Sequence, residues 1–344
     1  MSGHASARTA AADVTVRCVV RVHQAGMPFA HLLAIWREAD ALGYDGGSLY
    51  DLIGAPALEC WTTLTALTMA TRRLRAIPLV LAVGYRHPAL LAKMAATLDD
   101  ISGGRLVLGL GSGGDRRDHE RAGLPWQPAR ERAARLEDAV AAIRHLWTGS
   151  ASVLRTRHYG DVAGPGRPRP AQQPGPPVLI GGHGERYLLR AAARTADLCN
   201  VGFDMSLEEW AAKTRLLRRY CEDAGRDPAT LVLTHNATVL LARDTAEAEA
   251  KAEALVRARG VDPVAARRRL AHAMVGTPDH CAERLRAYAA AGVRWFFLLF
   301  PDVHARAPAA ERGTLGPDLS SLRLFAREVL PALRGAPARE RPDA

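Results

Sequence analysis

The sequence predicts an α/β fold, a single (β/α)8 TIM barrel with insertions after strands four and five. Three observations favour this class. Eight short apolar runs alternate with segments of helical periodicity along the 344 residues. No linker divides the chain into independent halves, and glycine-rich loops follow two of the predicted strands, where a barrel places its binding site. The alternative is an open doubly wound sheet, which gives the same alternation.

The first half of the chain contains four predicted strands with helices between them. Pro88 suits the first position of the third helix, and apolar residues then recur at helical spacing up to Ile101. The Ser-Gly-Gly run at 102–104 ends that helix with residues that tolerate a positive φ. The predicted strands are 14–22, 46–51, 74–83 and 105–110, and the helices are 29–42, 59–70 and 88–101.

The second half continues the alternation after a long helix, 129–147. Residues 151–177 are rich in proline and glycine, so we predict an excursion after the fourth strand, part of which could cover the barrel mouth. Thr277 and Pro278 are a typical cap and first residue of a helix. The remaining predicted strands are 178–180, 197–201, 231–241 and 293–300, and the helices are 185–195, 207–224, 246–259, 263–274 and 319–333.

Composition limits what the protein can bind. The net charge of +10 comes almost entirely from arginines, which are spread along the predicted helices and not grouped in a nucleic-acid-binding motif. We therefore expect a solvated basic surface that favours an anionic small ligand. The expected partner is a small-molecule substrate, with no nucleic acid and no membrane.

The chain also carries no signal of secretion or of metal binding. No apolar run approaches the ~18 residues of a membrane span, and the N-terminal residues lack the apolar core of a signal peptide. The five scattered cysteines show no metal-ligand spacing, which predicts reduced thiols and no metal site. We expect a cytoplasmic protein with one domain at 13–335 between disordered tails at 1–12 and 336–344.

Two glycine-rich loops indicate where a ligand binds. The run GLGSGG at 109–114 follows the fourth strand, and GGHGER at 181–186 lies between the fifth strand and a helix. Backbone N–H groups at the start of a helix favour a phosphate, and a loop without side chains lets a flat ring approach the backbone. The predicted cofactor-binding residues are Leu79, Leu81 and Val83 as apolar walls, with Gly111, Ser112, Gly113, Gly181, Gly182, His183, Gly184 and Arg186.

Three motifs together resemble the bacterial-luciferase-like oxidoreductases. They are ECWTTLTAL at 59–67, RHPALLAKMAATLDDISGGRLVLGLGSGG at 86–114 and PPVLIGGHGERYLLRAAARTADLCN at 176–200. Within this superfamily the chain looks most like the branch that uses the deazaflavin coenzyme F420, and FMN-using relatives share much of the pattern. The resemblance implies a (β/α)8 barrel that binds the cofactor at its C-terminal mouth. It also implies a bulge near 78–79, often with a non-proline cis peptide, and, as in many relatives, a homodimer.

The resemblance leaves the acid–base residue open. Relatives commonly carry Asp-His at the end of the second strand, where this chain has Asp51 and Leu52. We expect the apolar Leu52 to desolvate Asp51, so that this carboxyl donates a proton or orders the group that does. The predicted catalytic residues are Asp51, Glu59 and His87, and weaker candidates are Tyr85, His183 and His235.

These features predict an F420-dependent oxidoreductase. The expected reaction is hydride transfer from reduced F420 to an activated C=C or C=N bond of a small metabolite. One alternative is an FMN-dependent luciferase-like monooxygenase, and another is a non-catalytic cofactor-binding relative.

Overall fold

The structure is a computed structural model that describes residues 15–164, 166–258, 264, 267, 270–303 and 316–335. The predicted tails lie outside these residues. The strands are β1 Arg17–Arg21, β2 Gly46–Leu49, β3 Arg75–Pro78, β4 Leu81–Ala82, β5 Leu108–Gly111, β6 Val153–Thr156, β7 Gly160–Ala163, β8 Val178–Gly181, β9 Leu198–Phe203, β10 Val232–Leu241, β11 Met274–Gly276 and β12 Trp295–Leu299.

The helices lie between the strands, close to the predicted positions. They are α1 Phe29–Leu42, α2 Cys60–Met69, α3 Pro88–Ile101, α4 Arg116–Arg121, α5 Ala129–Thr148, α6 Leu188–Thr195, α7 Leu207–Asp223, α8 Thr245–Ala258, α9 Pro278–Ala291, α10 Ser320–Leu324 and α11 Leu330–Arg334. A π-helical turn, Phe325–Val329, joins α10 to α11, so the predicted last helix continues without a break in the chain direction.

Parallel pairing closes the main sheet into a barrel. Its strand order is β3-β2-β1-β12-β10-β9-β8-β5-β4. A parallel bridge between Ala76 and Leu106 joins β3 to the residues before β5. The third strand therefore contacts the fourth, which completes the ring and excludes the open-sheet alternative. The predicted (β/α)8 barrel is confirmed.

Apolar side chains fill the barrel on both faces of its strands. The inward-facing layer is a separate cluster, and the larger cluster lies between the strands and the helices. This two-sided burial explains why the strands read as continuous apolar runs. The inward cluster consists of Val19, Ile77, Leu79, Val107, Leu179, Leu198, Trp295 and Phe297.

The structure places one of the two predicted insertions differently. The β6–β7 hairpin lies after the fourth barrel strand, as predicted. After the fifth strand, β8, only residues 182–187 precede α6, so no insertion is present there. The second insertion follows the seventh strand, where β11 pairs in parallel with β10. Five residues of the predicted helix 263–274 lie outside the described residues, residues 271–273 form a turn, and the last residue, Met274, begins β11.

The third strand is interrupted. The sequence predicts one strand over 74–83, but β3 pairs with β2 while β4 pairs with β5. The peptide between Leu79 and Val80 is cis and lies between the two segments. The break is one residue beyond the position that the family resemblance implies for a bulge. It turns the chain inward at the mouth of the barrel.

Local capping agrees with the sequence. Gly43 ends α1 at φ 84°, and the Thr277 side chain accepts a hydrogen bond from the His280 N–H at the start of α9. All five cysteines are buried and unpaired. In the described ranges, no helix combines the length and the apolar character that crossing a bilayer requires.

His235 lies on the outer face of the barrel, between β10 and the helices, and not at the mouth. Its Nδ1 donates to the carbonyl oxygen of Val201 at 2.9 Å, and its ring stacks on Tyr288 with 5.0 Å between centroids. Burial lowers the pKa of His235 to about 4. This histidine is a neutral core residue, which removes it from the candidate proton donors.

The lowered pKa of His235 predicts that the protein loses unfolding free energy in acid. The unfolded chain takes up a proton near the ordinary histidine pKa, whereas the folded chain resists protonation down to about pH 4. Stability attributable to His235 is therefore present near neutral pH and lost as the pH falls through this window. We expect about 2 kcal/mol of lost unfolding free energy between pH 7 and about pH 5.

The measurement is urea unfolding of the wild type and of His235→Asn at both pH values. The variant should lose less stability on acidification than the wild type, whatever its stability at neutral pH. Equal pH dependence in the two proteins would show that His235 is not responsible.

Candidate active site

A cavity of about 860 Å³ opens at the C-terminal mouth of the barrel. Barrel enzymes place their chemistry at this end, because the loops that follow all the strands converge there. The lining residues come from the loops after strands two to five and from the start of α5. They are Tyr50, Asp51, Leu52, Leu79, Val80, Ala82, Tyr85, Gly111, Ser112, Gly113, Gly114, Asp115, Asp118, Ala129, Arg132, Ala133 and the residues 181–188.

The floor of the cavity is formed by Val80 packed against bare backbone. A Cβ at Gly111 would lie 2.6 Å from a methyl group of Val80, and a Cβ at Gly181 would lie 2.8 Å from the other. A Cβ at Gly109 would meet the carbonyl oxygen of Pro78 at 1.9 Å. These three glycines are therefore required by the interrupted third strand, which is a structural reason for part of the glycine pattern.

The second glycine loop offers backbone donors to the cavity. The Gly182 N–H donates a hydrogen bond to the carbonyl oxygen of Asn200 at 3.0 Å and is therefore not available to a ligand. The N–H groups of residues 183–187 donate to no residue in the described part of the chain, and these residues line the cavity just before α6. Free N–H groups at a helix start are suited to a phosphate or carboxylate. Gly182 itself has φ +143°, and a Cβ there would lie 2.0 Å from Leu188, so this glycine too serves the fold.

Two arginines bring positive charge to the same cavity. The Arg132 guanidinium stacks on Trp126 at 3.8 Å. Its Nε and Nη1 atoms are buried, and no hydrogen-bond partner for them exists among the described residues. Burial lowers the pKa of Arg132. Arg186 is exposed on the 181–188 loop, with its guanidinium 5.2 Å from the Tyr187 ring. Buried donors without partners are rare in native proteins, so Arg132 indicates an anionic ligand.

Asp51 lines the cavity, but both oxygens of its carboxylate already accept hydrogen bonds from neighbouring residues. Arg86 donates to both of its oxygens, at 2.8 and 2.9 Å, and the Ala82 N–H donates at 3.0 Å. The expected desolvation by Leu52 is therefore countered by an ion pair. Through these bonds Asp51 holds Arg86 and the 82–86 segment in place. That Asp51 donates a proton, or orders the group that does, stays a prediction.

Glu59 belongs to the same network and lies outside the cavity lining. It caps α2 through the N–H groups of Trp61 and Thr62, at 2.9 and 2.7 Å, and accepts from Arg86 at 2.8 Å. Partial burial alone would raise the pKa of Glu59, but these hydrogen bonds lower it. For Arg86, burial opposes the charge, while the bonds to Asp51 and Glu59 raise its pKa above the ordinary value. The three side chains form a structural ion-pair network.

Three other predicted residues lie away from the cavity. His87 caps α3 by accepting from the Ala89 N–H at 3.2 Å, and its ring contacts Tyr159 at 5.5 Å. Leu81 and Val83 are buried in the outer core and do not form its walls. The apolar contact to a ligand comes instead from Leu79 and Val80, because the break in strand three reverses which side chains face inward. The other predicted cofactor-binding residues all line the cavity.

The proline-rich excursion does not cover the mouth. Its β6–β7 hairpin packs on α5, and Gln172 beyond it donates its backbone N–H to Asp99 of α3 at 2.8 Å. The described residues of 151–177 contribute nothing to the cavity lining. The excursion therefore covers the outside of the barrel and does not act as a lid in this structure.

Sequence reasoning missed several residues around the cavity. Asp115 caps α4, and the His119 ring of that helix lies beneath the first glycine loop and contacts Tyr85 and Trp126 at 5.0 Å each. No local motif marks Tyr50, Val80, Asp115, Asp118, His119 or Arg132. The alternation of inward and outward residues along the second strand could have indicated Tyr50. Within the described ranges, no group of three His, Cys, Asp or Glu side chains could hold a metal ion.

The chain is similar in sequence to several known proteins. A phthiodiolone/phenolphthiodiolone dimycocerosates ketoreductase of Mycobacterium sp. (strain JLS) is 35% identical over 179 residues, which are 51% of this chain and 46% of the relative. The chain thus spans about half the length of the curated relatives it matches.

Solved structures share the barrel. The coenzyme F420-dependent tetrahydromethanopterin reductase of Methanopyrus kandleri has a TM-score of 0.74 at 18% identity, covering 93% of this chain and 99% of that one. Long-chain alkane monooxygenase has a TM-score of 0.75 at 16% identity, covering 96% and 93%. At such identities these similarities show the fold alone.

The family profile of the luciferase-like monooxygenases matches residues 13–294, from the first barrel strand to the start of the last. The chain belongs to the luciferase-like monooxygenase family.

Proposed function

We propose that the protein is an F420-dependent oxidoreductase that reduces a small organic substrate. The observation that carries the proposal is the cavity at the barrel mouth. There an apolar floor adjoins free backbone N–H groups and the half-buried Arg132, whose buried Nε and Nη1 have no partner among the described residues. A ligand that suits these features has a flat ring and an anionic tail. A deazaflavin with its phosphate has both parts.

The residues that would hold such a cofactor follow from the geometry. Leu79 and Val80 present the apolar surface for the ring, and the backbone at 111–114 lies beside it. The N–H groups at 183–187, together with Arg186, would bind the phosphate. Arg132 is placed to bind a further anionic group with Nε and Nη1. When bound and reduced, F420 supplies a hydride, so the chain itself must orient the substrate and manage the accompanying proton.

Two observations favour F420 over FMN. The motifs ECWTTL at 59–64 and GGHGER at 181–186 resemble those of the F420-using branch. The net charge of +10 also suits the acidic polyglutamate tail of F420. The similarity to a ketoreductase adds a C=O bond to the C=C and C=N bonds considered from the sequence. Assembly as a homodimer in the cytoplasm stays a prediction.

The FMN-dependent monooxygenase is the second candidate, because long-chain alkane monooxygenase has the same barrel. Equilibrium titration of the purified chain with F420 and with FMN separates the two. We expect F420 to bind at least tenfold more tightly, a difference of about 1.4 kcal/mol. Co-purification of stoichiometric FMN, or tighter binding of FMN, would favour the monooxygenase. Oxidation of F420H2 by a panel of ketones, imines and enones then tests catalysis and excludes a binding-only role.

Gly114 allows a direct test of the cofactor position. A Cβ at this position would meet no atom within 4 Å, and its φ is not in the left-handed region, so the fold tolerates a side chain. Because Gly114 lines the cavity, we expect Gly114→Val to weaken F420 binding at least tenfold, or about 1.4 kcal/mol, without a loss of stability.

The matched control is Gly316→Val. Gly316 is exposed, has equally open surroundings and does not line the cavity. Its substitution should leave F420 affinity unchanged. Wild-type affinity in Gly114→Val would mean that the cofactor does not lie against the first glycine loop.

Asp51→Asn tests whether the ion-pair network is structural. Asp51 and Arg86 have side chains that are 5% and 15% exposed, so removing one charge leaves the other poorly compensated. We expect a loss of about 3 kcal/mol in unfolding free energy, measured by denaturant titration. In molecules that remain folded, single-turnover hydride transfer should fall much less than the ~10²-fold typical of a lost general acid.

Glu59→Gln is the comparison for Asp51→Asn. Its side chain is 51% exposed, and the amide retains an acceptor for the α2 cap, so the loss should be about 1 kcal/mol or less. A variant Asp51→Asn with full stability and a 10²-fold slower reaction would instead support Asp51 as an acid–base residue.

A further inference from the structure

Tyr50 is the inward-facing residue at the end of the second strand, one position before Asp51. In the sheet register Ser48 lies beside Arg21, which faces inward, so Tyr50 follows two residues later on the same face. Its side chain lines the cavity. The side-chain amide of Gln24, which is fully buried, accepts from the Tyr50 N–H at 3.1 Å and donates to the Tyr50 carbonyl oxygen. The backbone of Tyr50 is therefore fixed on both sides.

A buried guanidinium lies against this tyrosine. Arg21, at the end of β1, is 7% exposed, and its Cζ is 4.4 Å from the Tyr50 ring centroid and 4.5 Å from that of Phe203. Arg21 also hydrogen-bonds the Tyr50 side chain. Burial lowers the pKa of Arg21, and the hydroxyl of Tyr50 and the carboxylate of Asp204 oppose that effect.

The charge of Arg21 is only partly neutralised. Its Nε and Nη1 atoms are buried and have no hydrogen-bond partner in the described part of the chain. Asp204 is engaged by Thr238, whose N–H and hydroxyl donate to it at 2.6 and 2.7 Å. Among the described residues, titratable groups near Tyr50 also include the His23 ring, 4.9 Å away, and Asp51, which is paired with Arg86. A cation beside a phenol favours the phenolate.

Tyr85 provides the contrast within the same cavity. Burial raises the pKa of Tyr85 to about 12, and the nearby carboxylates of Asp118, Asp51 and Asp115 add to the effect. The Arg86 guanidinium opposes this rise, but it donates to Asp51 and Glu59, and the net effect keeps the Tyr85 phenol protonated. Of these two cavity tyrosines, only Tyr50 is in contact with a buried guanidinium.

We propose that Tyr50 donates the proton to the substrate oxygen in the reduction of a C=O bond, with Arg21 as its positioning residue. The proposal rests on the proposed function. When bound, the reduced cofactor would supply a hydride, one proton with two electrons, to the carbonyl carbon and would itself be oxidised. As the C=O π bond breaks, its electron pair moves to the oxygen, which takes the proton of the Tyr50 hydroxyl, and the alcohol forms. The tyrosinate that remains beside Arg21 is reprotonated by water.

This assignment also accounts for the missing imidazole after Asp51. The side chain at position 52 is leucine, and Asp51 is occupied by Arg86. A proton donor must be within hydrogen-bond reach of the reacting atom, and Tyr50 is an inward-facing hydroxyl at the cavity surface. A tyrosine proton donor at this position favours aldehydes and ketones as substrates, because their reduction places a proton on the carbonyl oxygen.

The first experiment needs no cofactor. Tyrosinate formation is followed by ultraviolet difference absorbance in the wild type, Tyr50→Phe and Tyr85→Phe. The difference between wild type and Tyr50→Phe reports the Tyr50 phenol, and the corresponding difference for Tyr85 should show ionisation near pH 12. We expect Tyr50 to ionise at lower pH than Tyr85. The reverse order would contradict the role of Arg21.

The second experiment measures F420 affinity and single-turnover oxidation of bound F420H2 by a ketone or aldehyde. Tyr50→Phe should keep F420 affinity within a few-fold and slow hydride transfer by ~10²-fold or more. The matched control is Tyr220→Phe, because Tyr220 also contacts an arginine, with Arg190 at 4.7 Å, but lies on α7 outside the barrel. That variant should react at the wild-type rate.

The outcomes separate the two proposals. If the wild type reduces carbonyl compounds and Tyr50→Phe does so equally fast, the assignment of Tyr50 is wrong while the proposed function stands. If the wild type binds F420 but reduces no carbonyl compound, the proposed function fails for this substrate class and the assignment fails with it. A slow Tyr50→Phe with wild-type F420 affinity and the expected order of ionisation supports both.

Discussion

The packing of Val80 against the glycines of β5 and β8 determines the shape of the candidate site. The third strand turns inward between β3 and β4, and its Val80 side chain occupies the space that side chains at Gly111 and Gly181 would otherwise fill. Close packing leaves no room for both. The same contact forms the apolar floor of the cavity and brings the backbone of two loops to its edge. The depth of the cavity and its exposed backbone donors both depend on it.

Above this floor, the arginines differ in how fully they are paired. Arg86 donates to Asp51 and Glu59 and holds two loops together. Arg21 is buried and Arg132 is half-buried, and the Nε and Nη1 atoms of each are buried without a partner in the described structure. Burying a guanidinium with unused donors makes the fold less stable. Such a group is kept where a ligand or a reacting group interacts with its charge. The extent of ion pairing thus distinguishes Arg86, which has a structural role, from Arg21 and Arg132, which are placed to interact with a ligand in the cavity.

The family barrel and the chemistry of this chain are separate questions. An F420-dependent reductase and an alkane monooxygenase of known structure share this fold, so the fold alone does not select the cofactor. Selection lies in the loops after the strands, where this chain has an occupied Asp51 and an inward tyrosine next to a buried arginine.

The sequence by itself determined the barrel, the capped helix ends and the two glycine loops, because apolar periodicity and turn residues are local signals. It also located the cavity residues at 111–113 and 181–184, since loops after parallel strands meet at one end. Only the tertiary structure decided that Leu81 and Val83 face the outer core, that Arg86 occupies Asp51, and that His235 is a core residue. These depend on one interrupted strand and on pairs 34 or 35 residues apart, such as His235 with Val201 and Asp51 with Arg86. No window of sequence contains both members of such a pair, so their physical contact appears only when the barrel closes.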